Sequence, residues 1–206
     1  MQSLFQQWVV AGGVAMVALV PCLILSLAFA VQGILSLRRS QMAPEDFVDR
    51  LREAANQSGV AAARAALEED HSRIAEIVRS VDAQLRRNPG SDSGALLRDE
   101  AESECDLLLQ QNSPLALIVR IAPQLGLIGT LVGLHGAFAM HGSGSPDGKA
   151  LAAAIGGALV PMVWGVVIAF ISHLAHYMIQ LRIAGYEQSL FPREGAAALQ
   201  VLGGES

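Results

Sequence analysis

Residues 121–142 of this 206-residue chain have the sequence IAPQLGLIGTLVGLHGAFAMHG. Arg120 precedes the stretch, and no Asp, Glu, Lys or Arg interrupts it. A helix of about 20 apolar residues can cross a bilayer core of roughly 30 Å. Small residues at intervals of three or four positions let helix backbones approach closely, and here they are Gly126, Gly129, Gly133 and Gly136. The stretch therefore predicts a transmembrane helix that packs against other helices. Since nothing within a single chain is expected to fill its glycine-lined face, the partners are expected to be other copies arranged in a ring.

Two further blocks have the same apolar character, and neither contains an acidic or basic residue. They run from Trp8 to Leu37 and from Ala150 to Leu181. The chain is 52% hydrophobic and 16% charged, whereas soluble domains are about 25% charged. A signal peptide carries its basic residues before a shorter apolar run, but here Arg38 and Arg39 follow the first block. We therefore predict three transmembrane helices, the first of them a retained anchor.

The basic residues beside the apolar blocks predict the orientation of the chain. Arg38, Arg39, Arg120 and Arg182 lie at ends that share one side of the membrane, and Lys149 lies on the other side. Arginine and lysine are enriched in cytoplasmic loops. The N-terminus is therefore predicted to be outside, and the C-terminus in the cytoplasm.

The segment between the first two spans is predicted to be a cytoplasmic helical insert. It holds 15 of the 19 acidic residues of the chain. Apolar residues from Ile74 to Leu85 recur with the spacing of one helix face, a turn is expected at Asn88-Pro89-Gly90, and a second helix is expected from Ser93 to Gln111. The acidic faces could be catalytic in principle, but a solvated surface is the favoured interpretation. The tail from Pro192 onward is predicted to be poorly ordered.

The predicted fold class is thus all-α, an integral membrane protein with three transmembrane helices and a helical cytoplasmic insert. The segments are a periplasmic N-terminus with the first span, the insert, the second span, a periplasmic loop, a third span that extends into the cytoplasm, and a cytoplasmic tail. Their bounds are 1–37, 38–113, 114–141, 142–149, 150–181 and 182–206.

Thr130 is the one threonine of the chain and lies near the middle of the second span. A hydroxyl at that depth needs a hydrogen-bond partner. That partner could be the carbonyl one turn back, a neighbouring helix, or water.

The segment from Ala122 to Gly133 resembles the second transmembrane helix of TolQ and ExbB proteins, whose pattern is roughly A-P-x-x-G-L-x-G-T-V-x-G. The order of spans, insert and short outer loop is also similar. On this resemblance the chain is identified as a member of the MotA/TolQ/ExbB family. The matching residues are Ala122, Pro123, Gly126, Leu127, Gly129, Thr130 and Gly133.

The resemblance implies a ring of five copies in a bacterial inner membrane, with a pore lined by the second and third helices. A dimer of single-span partners of the ExbD, TolR or MotB type would stand inside and carry an Asp at pore depth. The complex would convert a proton or sodium gradient into mechanical work, without enzymatic chemistry in this chain. Thr130 would then be a pore-lining hydroxyl. The resemblance also implies that Pro123, Gly126, Gly129, Gly133 and Gly165 pack the helices.

The third helix departs from the TolQ and ExbB pattern. Gly157 stands where the pattern has Glu, Met162 stands where it has Thr, and Pro161 is added beside Met162. MotA-type relatives also lack that Glu. The expected ion pathway therefore comprises Thr130, Pro161 and Met162, with one hydroxyl in place of two. This departure leaves a second interpretation open, a non-conducting structural paralogue or scaffold of the same fold.

His173 and His176 lie three residues apart on one helix face and form a possible proton relay. They could also be ordinary interfacial histidines at a helix end. A metal site is not expected because the pair lacks a third ligand, and no cofactor motif is present. The net charge of −5 and the single Lys give no reason to expect nucleic acid as a partner. The lipid bilayer is the expected surrounding.

Overall fold

The computed structural model describes residues 14–142 and 148–203. Those residues are 91% helical and contain no strand. The part of the first predicted span before residue 14 and most of the predicted periplasmic loop, residues 143–147, lie outside the described residues. The helices are α1 Val14–Ser36, α2 Arg39–Met42, α3 Phe47–Ser58, α4 Val60–Glu69, α5 Arg73–Arg87, α6 Ser93–Gln111, α7 Ser113–Gly142, α8 Gly148–Gly185 and α9 Phe191–Gly203. A π-helical turn, Tyr186–Leu190, lies between α8 and α9.

The prediction of three membrane-crossing helices is confirmed by length and composition, since three apolar stretches of the described chain suffice to span a bilayer. They fall in α1, α7 and α8. Pro21, Pro123 and Pro161 lie inside these helices without ending them. Neighbouring helices can satisfy the carbonyls that prolines leave free in a membrane.

The chain divides into two compact units. The membrane unit contains the described residues up to 32 together with those from 112 to 177, and the polar unit contains residues 33–111 and the described residues from 178 onward. The end of α8 from Met178 therefore belongs to the same unit as the insert.

The core of the membrane unit is built from all three long helices. Met16 and Leu19 of α1 are buried together with Ile118 and Ala122 of α7 and Ile168 of α8. Larger side chains, including Phe29 and Trp164, pack around this cluster while remaining partly exposed.

The polar unit has a conventional apolar core formed by short amphipathic helices. Ile74, Ile77, Val78 and Val81 of α5 are buried, as the periodicity predicts. The turn at residues 88–90 separates α5 from α6, and α6 has the predicted bounds, Ser93–Gln111. Local apolar spacing therefore predicted this region well.

The prediction of a poorly ordered tail was wrong, because residues 191–203 form α9. Phe191, Gly195, Ala198 and Leu202 are buried on one face of this helix. Gly195 makes the close packing possible, since a Cβ there would lie 2.6 Å from Leu97 Cδ1 of α6. The proline and glycines suggested disorder, but the spacing of apolar residues at four, three and four positions is that of a helix face.

The π-helical turn keeps the buried faces on either side of it in phase. Ile183 at the end of α8 and Phe191 at the start of α9 are both buried, but they are eight residues apart. A face of an α-helix recurs after about seven residues, so eight would rotate Phe191 by roughly 80°. A π turn has i→i+5 hydrogen bonds and absorbs one extra residue. The eight-residue interval therefore places Ile183 and Phe191 on the same face, as seven residues of regular α-helix would. Tyr186 of the same turn donates a hydrogen bond from its hydroxyl to the Leu37 carbonyl oxygen at 2.7 Å.

Candidate functional site: the glycine-packed hairpin

The residues predicted for the ion pathway and for helix packing meet along the contact between α7 and α8, which we call the glycine seam. A Cβ added at Gly126 would lie 2.7 Å from the Pro161 carbonyl oxygen and 3.0 Å from Met162 Cα. A Cβ at Gly165 would lie 2.5 Å from the Ala122 carbonyl oxygen. These are backbone atoms of the opposite helix, so the seam closes only because both positions lack a side chain.

The other glycines of the motif extend the seam toward the C-terminal end of α7. A Cβ at Gly129 would meet Ala15 of α1 and would lie 2.9 Å from Pro161 Cβ. A Cβ at Gly133 would lie 2.8 Å from Ala158 Cβ. The structure therefore brings the glycines predicted for packing together, and Pro123 lies half-buried in the same helix.

This seam overturns one expectation behind the predicted ring. The glycine-lined helix was expected to lack a packing partner within a single chain and therefore to require other copies. Instead α8 and α1 of the same chain fill that face. The glycines therefore account for packing within one chain, and contacts between copies in a ring would have to use other surfaces.

Thr130 lies at the glycine seam and is 5% exposed. Its hydroxyl donates to the Gly126 carbonyl oxygen at 3.1 Å. Of the three partners considered for this hydroxyl, the structure thus shows the carbonyl one turn back. The oxygen keeps lone pairs that can accept a hydrogen bond.

The two α8 residues predicted beside Thr130 differ in exposure. Pro161 is buried against Gly129. Met162 is 43% exposed, although its Cα lies beside Gly126. Met162 is thus exposed at the surface of a single chain.

His173 is exposed and His176 is half-buried, one turn apart on α8. The His176 Nδ1 atom is shielded from solvent and has no hydrogen-bond partner within the described chain. No cluster of three His, Cys, Asp or Glu residues that could hold a metal ion occurs among residues 14–142 and 148–203.

Sequence reasoning missed a buried polar pair in the membrane unit. Ser26 of α1 and Ser172 of α8 are 1% and 0% exposed, and their hydroxyl oxygens are 2.6 Å apart. Ser172 donates to the Ile168 carbonyl at 2.7 Å, so Ser26 must be the donor to Ser172 because each hydroxyl has one proton. A hydroxyl inside each apolar block was the available signal, but the pairing across 146 positions cannot be read from one sequence.

The three long apolar helices and the glycine-packed hairpin define a multi-pass α-helical membrane protein. The sequence profile of the MotA/TolQ/ExbB proton channel family matches residues 36–190. The match covers most of the chain, and the protein belongs to this family of membrane channel subunits, as the motif in α7 predicted. A comparison with curated protein sequences finds no match.

Proposed function

We propose that this chain is the ring-forming channel subunit of an ion-driven motor in a bacterial inner membrane. The observation that carries the proposal is the family match over residues 36–190, which includes the insert and all of α7 and α8. Five copies would form the ring, and a single-span partner of the ExbD, TolR or MotB type would supply a transmembrane Asp. The ion favoured by the family description is the proton.

The work in this proposal comes from the gradient and requires no covalent chemistry by the chain. Moving one charge through 100 mV releases about 2.3 kcal/mol. The partner carboxylate would bind the ion, and this chain would supply the wall of the path. The chain therefore acts as a channel subunit and not as an enzyme.

Thr130, Pro161 and Met162 remain the proposed pathway residues. The Thr130 hydroxyl donates its hydrogen bond to the Gly126 carbonyl oxygen. The lone pairs of the hydroxyl oxygen can still accept a hydrogen bond from water. Because this side chain is buried in one chain, water must enter the glycine seam to reach it. Toward the cytoplasm, His173 and His176 would relay protons.

The proposed ring uses the apolar surface that a single chain leaves exposed. Val163, Val166 and Phe170 of α8 are 53%, 52% and 69% exposed, and Leu131 and Val132 of α7 are 58% and 64% exposed. In a bilayer these side chains contact either lipid or another copy. A heterologous contact that closes by rotation gives a ring.

The proposed topology has a periplasmic N-terminus, a cytoplasmic insert at 38–113, a periplasmic loop at 142–149 and a cytoplasmic C-terminus. It can be tested by labelling single cysteines in intact cells after Cys22 and Cys105 are replaced by alanine. A membrane-impermeant thiol reagent should label Lys149→Cys and leave Ser91→Cys unlabelled until the cells are opened. Labelling of Ser91→Cys in intact cells would reverse the assignment.

The function is tested by co-expressing the chain with a single-span protein that carries a mid-span Asp. Native mass spectrometry of the purified complex should show five copies of this chain. Proteoliposomes loaded with a pH-sensitive dye should acidify or alkalise when a gradient is imposed. A stable monomer, or a ring without flux in the presence of the partner, would contradict the motor.

The Thr130 hydroxyl offers a sharper test. Thr130→Val keeps the side-chain volume and should lower proton flux about tenfold, the effect of roughly 1.4 kcal/mol on a barrier. Thr130→Ser should retain much of the flux, and both variants should assemble normally. Unchanged flux through an assembled Thr130→Val ring would remove Thr130 from the pathway.

A second candidate function is a non-conducting scaffold of the same fold. It is favoured by Met162, which is exposed where relatives have a hydroxyl, and by the internal hydrogen bond of Thr130. A scaffold would form the ring, bind the partner, show no flux and tolerate both Thr130 variants.

A further inference from the structure

The polar unit contains a cavity of about 650 Å³ that the proposed function does not use. Small-molecule sites usually measure about 300–1,000 Å³. The residues that line the cavity all lie between positions 36 and 76, so a single unit forms its walls. The walls come from the end of α1, from α2, Pro44 and α3, and from the connection between α4 and α5.

The N-terminal end of α5 forms one wall of the cavity. Ser72 is the N-cap residue of this 15-residue helix, and Arg73 is its first residue. Ser72 is 5% exposed, makes no cap hydrogen bond, and its hydroxyl has no hydrogen-bond partner among the described residues. A buried hydroxyl without a partner lowers stability, and the free N–H groups at a helix N-terminus bind phosphate groups. This wall therefore suits a phosphate that accepts a hydrogen bond from Ser72.

Arg50 and Arg73 line the same cavity and can donate to such a phosphate. Arg50 forms ion pairs through Nε and Nη2, and Arg73 forms them through Nη1 alone. A guanidinium has five N–H groups, so both side chains keep donors that no carboxylate uses. The carboxylates that pair with them are Asp46, Asp70, Glu76 and Glu104. Because four carboxylates surround two arginines, the local charge is negative.

Glu69, the last residue of α4, adds a further carboxylate to the lining. It is exposed, and no ion pair within the described part of the chain includes it. A ligand that is only anionic would be repelled by these carboxylates. A ligand that is only cationic would leave the Ser72 hydroxyl and the α5 N-terminus without a partner. A ligand that carries both a phosphate and an ammonium group matches both sides of the cavity.

The position of the cavity along the chain indicates where such a ligand comes from. Ser36 lines the cavity and is the last residue of α1, whose apolar span runs from Ala15 to Ser36. The cavity therefore begins where the first span ends, at the level of the lipid headgroups. Ile34 and Leu35 on the last turn of α1 are 36% and 42% exposed, so the turn that leads to the cavity offers an apolar surface to acyl chains.

We propose that this cavity binds the phosphoethanolamine group of a phospholipid, phosphatidylethanolamine. The phosphate accepts hydrogen bonds from the Ser72 hydroxyl and from the two arginines, and the ammonium group donates to the Glu69 carboxylate. Phosphatidylcholine has no ammonium N–H and phosphatidylglycerol has no positive charge, so neither lipid supplies both interactions. The inference goes beyond the proposed function, because a channel and a scaffold would carry this site alike.

Native mass spectrometry of the full-length protein in detergent measures the lipid preference. With equal amounts of the three lipids added, phosphatidylethanolamine should bind about tenfold more tightly than either of the others. Equal retention of the three lipids would overturn the proposal. Soluble glycerophosphoethanolamine, which has the headgroup without acyl chains, tests the source and should bind far more weakly than the lipid. Binding as tight as that of the lipid would overturn the membrane as the source.

Single substitutions test the two ends of the ligand separately. Glu69→Gln should weaken phosphatidylethanolamine binding about tenfold and leave phosphatidylglycerol binding unchanged. Glu102→Gln is the matched control, because this exposed glutamate of α6 does not line the cavity, and it should bind as the wild type does. Ser72→Ala should weaken binding about fivefold without lowering thermal stability, since the hydroxyl has no partner in the fold to lose. Wild-type affinity in both Glu69→Gln and Ser72→Ala would overturn the proposal.

Discussion

In the membrane unit, a Cβ at Gly126 would lie 2.7 Å from a backbone oxygen of α8, whereas in the polar unit Gly59 has nothing within 4 Å and a φ of +79°. Gly126 is needed because any side chain would separate two helices. Gly59 is needed because the turn between α3 and α4 uses a conformation that L side chains rarely adopt. In the membrane unit, two helices are held in contact because side chains are absent at Gly126. The polar unit is held together by the packing of side chains.

The cores show the same contrast. The polar unit buries Phe47, Ile74 and Phe191 at 1% exposure or less, and its buried charge Asp82 pairs with Arg64 and Arg86. The membrane unit has a small core and one buried hydroxyl pair. In water, burial of large apolar groups drives folding, but lipid is as apolar as leucine, so close packing and hydrogen bonds must hold helices together.

The largest effect is expected in the polar unit, from a change in helix phase. Deleting Ala196, an exposed residue of α9, would turn Ala198 and Leu202 by about 100° relative to Phe191. The free energy of unfolding should fall by roughly 2–5 kcal/mol, the range for the loss of a buried leucine. Deleting Gln188 from the π turn removes the extra residue and should cost far less. Thermal unfolding followed by circular dichroism measures both variants, and equal losses would refute the role given to the π turn.

The membrane unit should instead be sensitive to a single added methyl group. Gly126→Ala and Gly165→Ala force the α7 and α8 backbones apart and should each cost about 1–3 kcal/mol. Gly136→Ala on the same helix is the control, because a Cβ there meets nothing within 4 Å. Alanine also favours helix over glycine, so this control should match or exceed the wild type. Unfolding in mixed detergent micelles gives the comparison, and a seam that tolerates alanine as well as Gly136 does would contradict the packing described.

A smaller effect is expected from the buried hydroxyl pair. Hydrogen bonds between membrane helices contribute about 0.6 kcal/mol on average, so Ser26→Ala and Ser172→Ala should each cost about that much. Because both remove the same bond, the double variant should cost little more than either single variant. Full additivity in the micelle unfolding experiment would show that the two hydroxyls are not coupled.

The smallest effect is electrostatic and belongs to the polar unit. Burial raises the pKa of Asp70, but the hydrogen bond from the Ser72 backbone N–H and the charge and hydrogen bond of Arg50 outweigh it, so the pKa lies below its usual value. A carboxyl with a lowered folded-state pKa stabilises above the unfolded pKa, near 3.9, and loses that contribution as pH falls through the folded value. The expected contribution is at most about 0.5 kcal/mol because Arg50 is half exposed.

Asp70→Asn should therefore lower stability at pH 6 and reduce the further loss between pH 4 and pH 2. Asp49→Asn, which affects an exposed ion pair with Arg52, is the matched control. Thermal unfolding at each pH provides the measurement. Identical pH dependence in the Asp70 variant and the wild type would show that the Arg50 and Ser72 contacts do not act on folding.

The sequence predicted features that depend on neighbours along the chain. The three spans, the buried face of α5 and the bounds of α6 all follow from local spacing of apolar residues. The errors arose where a distant partner decides the outcome. Gly195 suggested disorder because Leu97, which it packs against, is about 100 residues away. Gly126, Gly129 and Gly133 of α7 indicate close packing, but only the fold shows that α8 and α1 of the same chain lie against them, whereas Gly136 meets nothing within 4 Å.

The glycine seam has a mechanical consequence. The contacts at Gly126 and Gly165 are between backbones, so there are no side chains between the helices that could change rotamer as the helices shift. We therefore expect α7 and α8 to move together as one rigid unit. In the proposed ring, any movement between helices would then occur at contacts between copies, where the side chains of one chain are exposed. Hydrogen exchange should reveal this stiffness as slow amide exchange from Ala122 to Gly133, and the exchange should stay slow in the assembled complex of the proposed function.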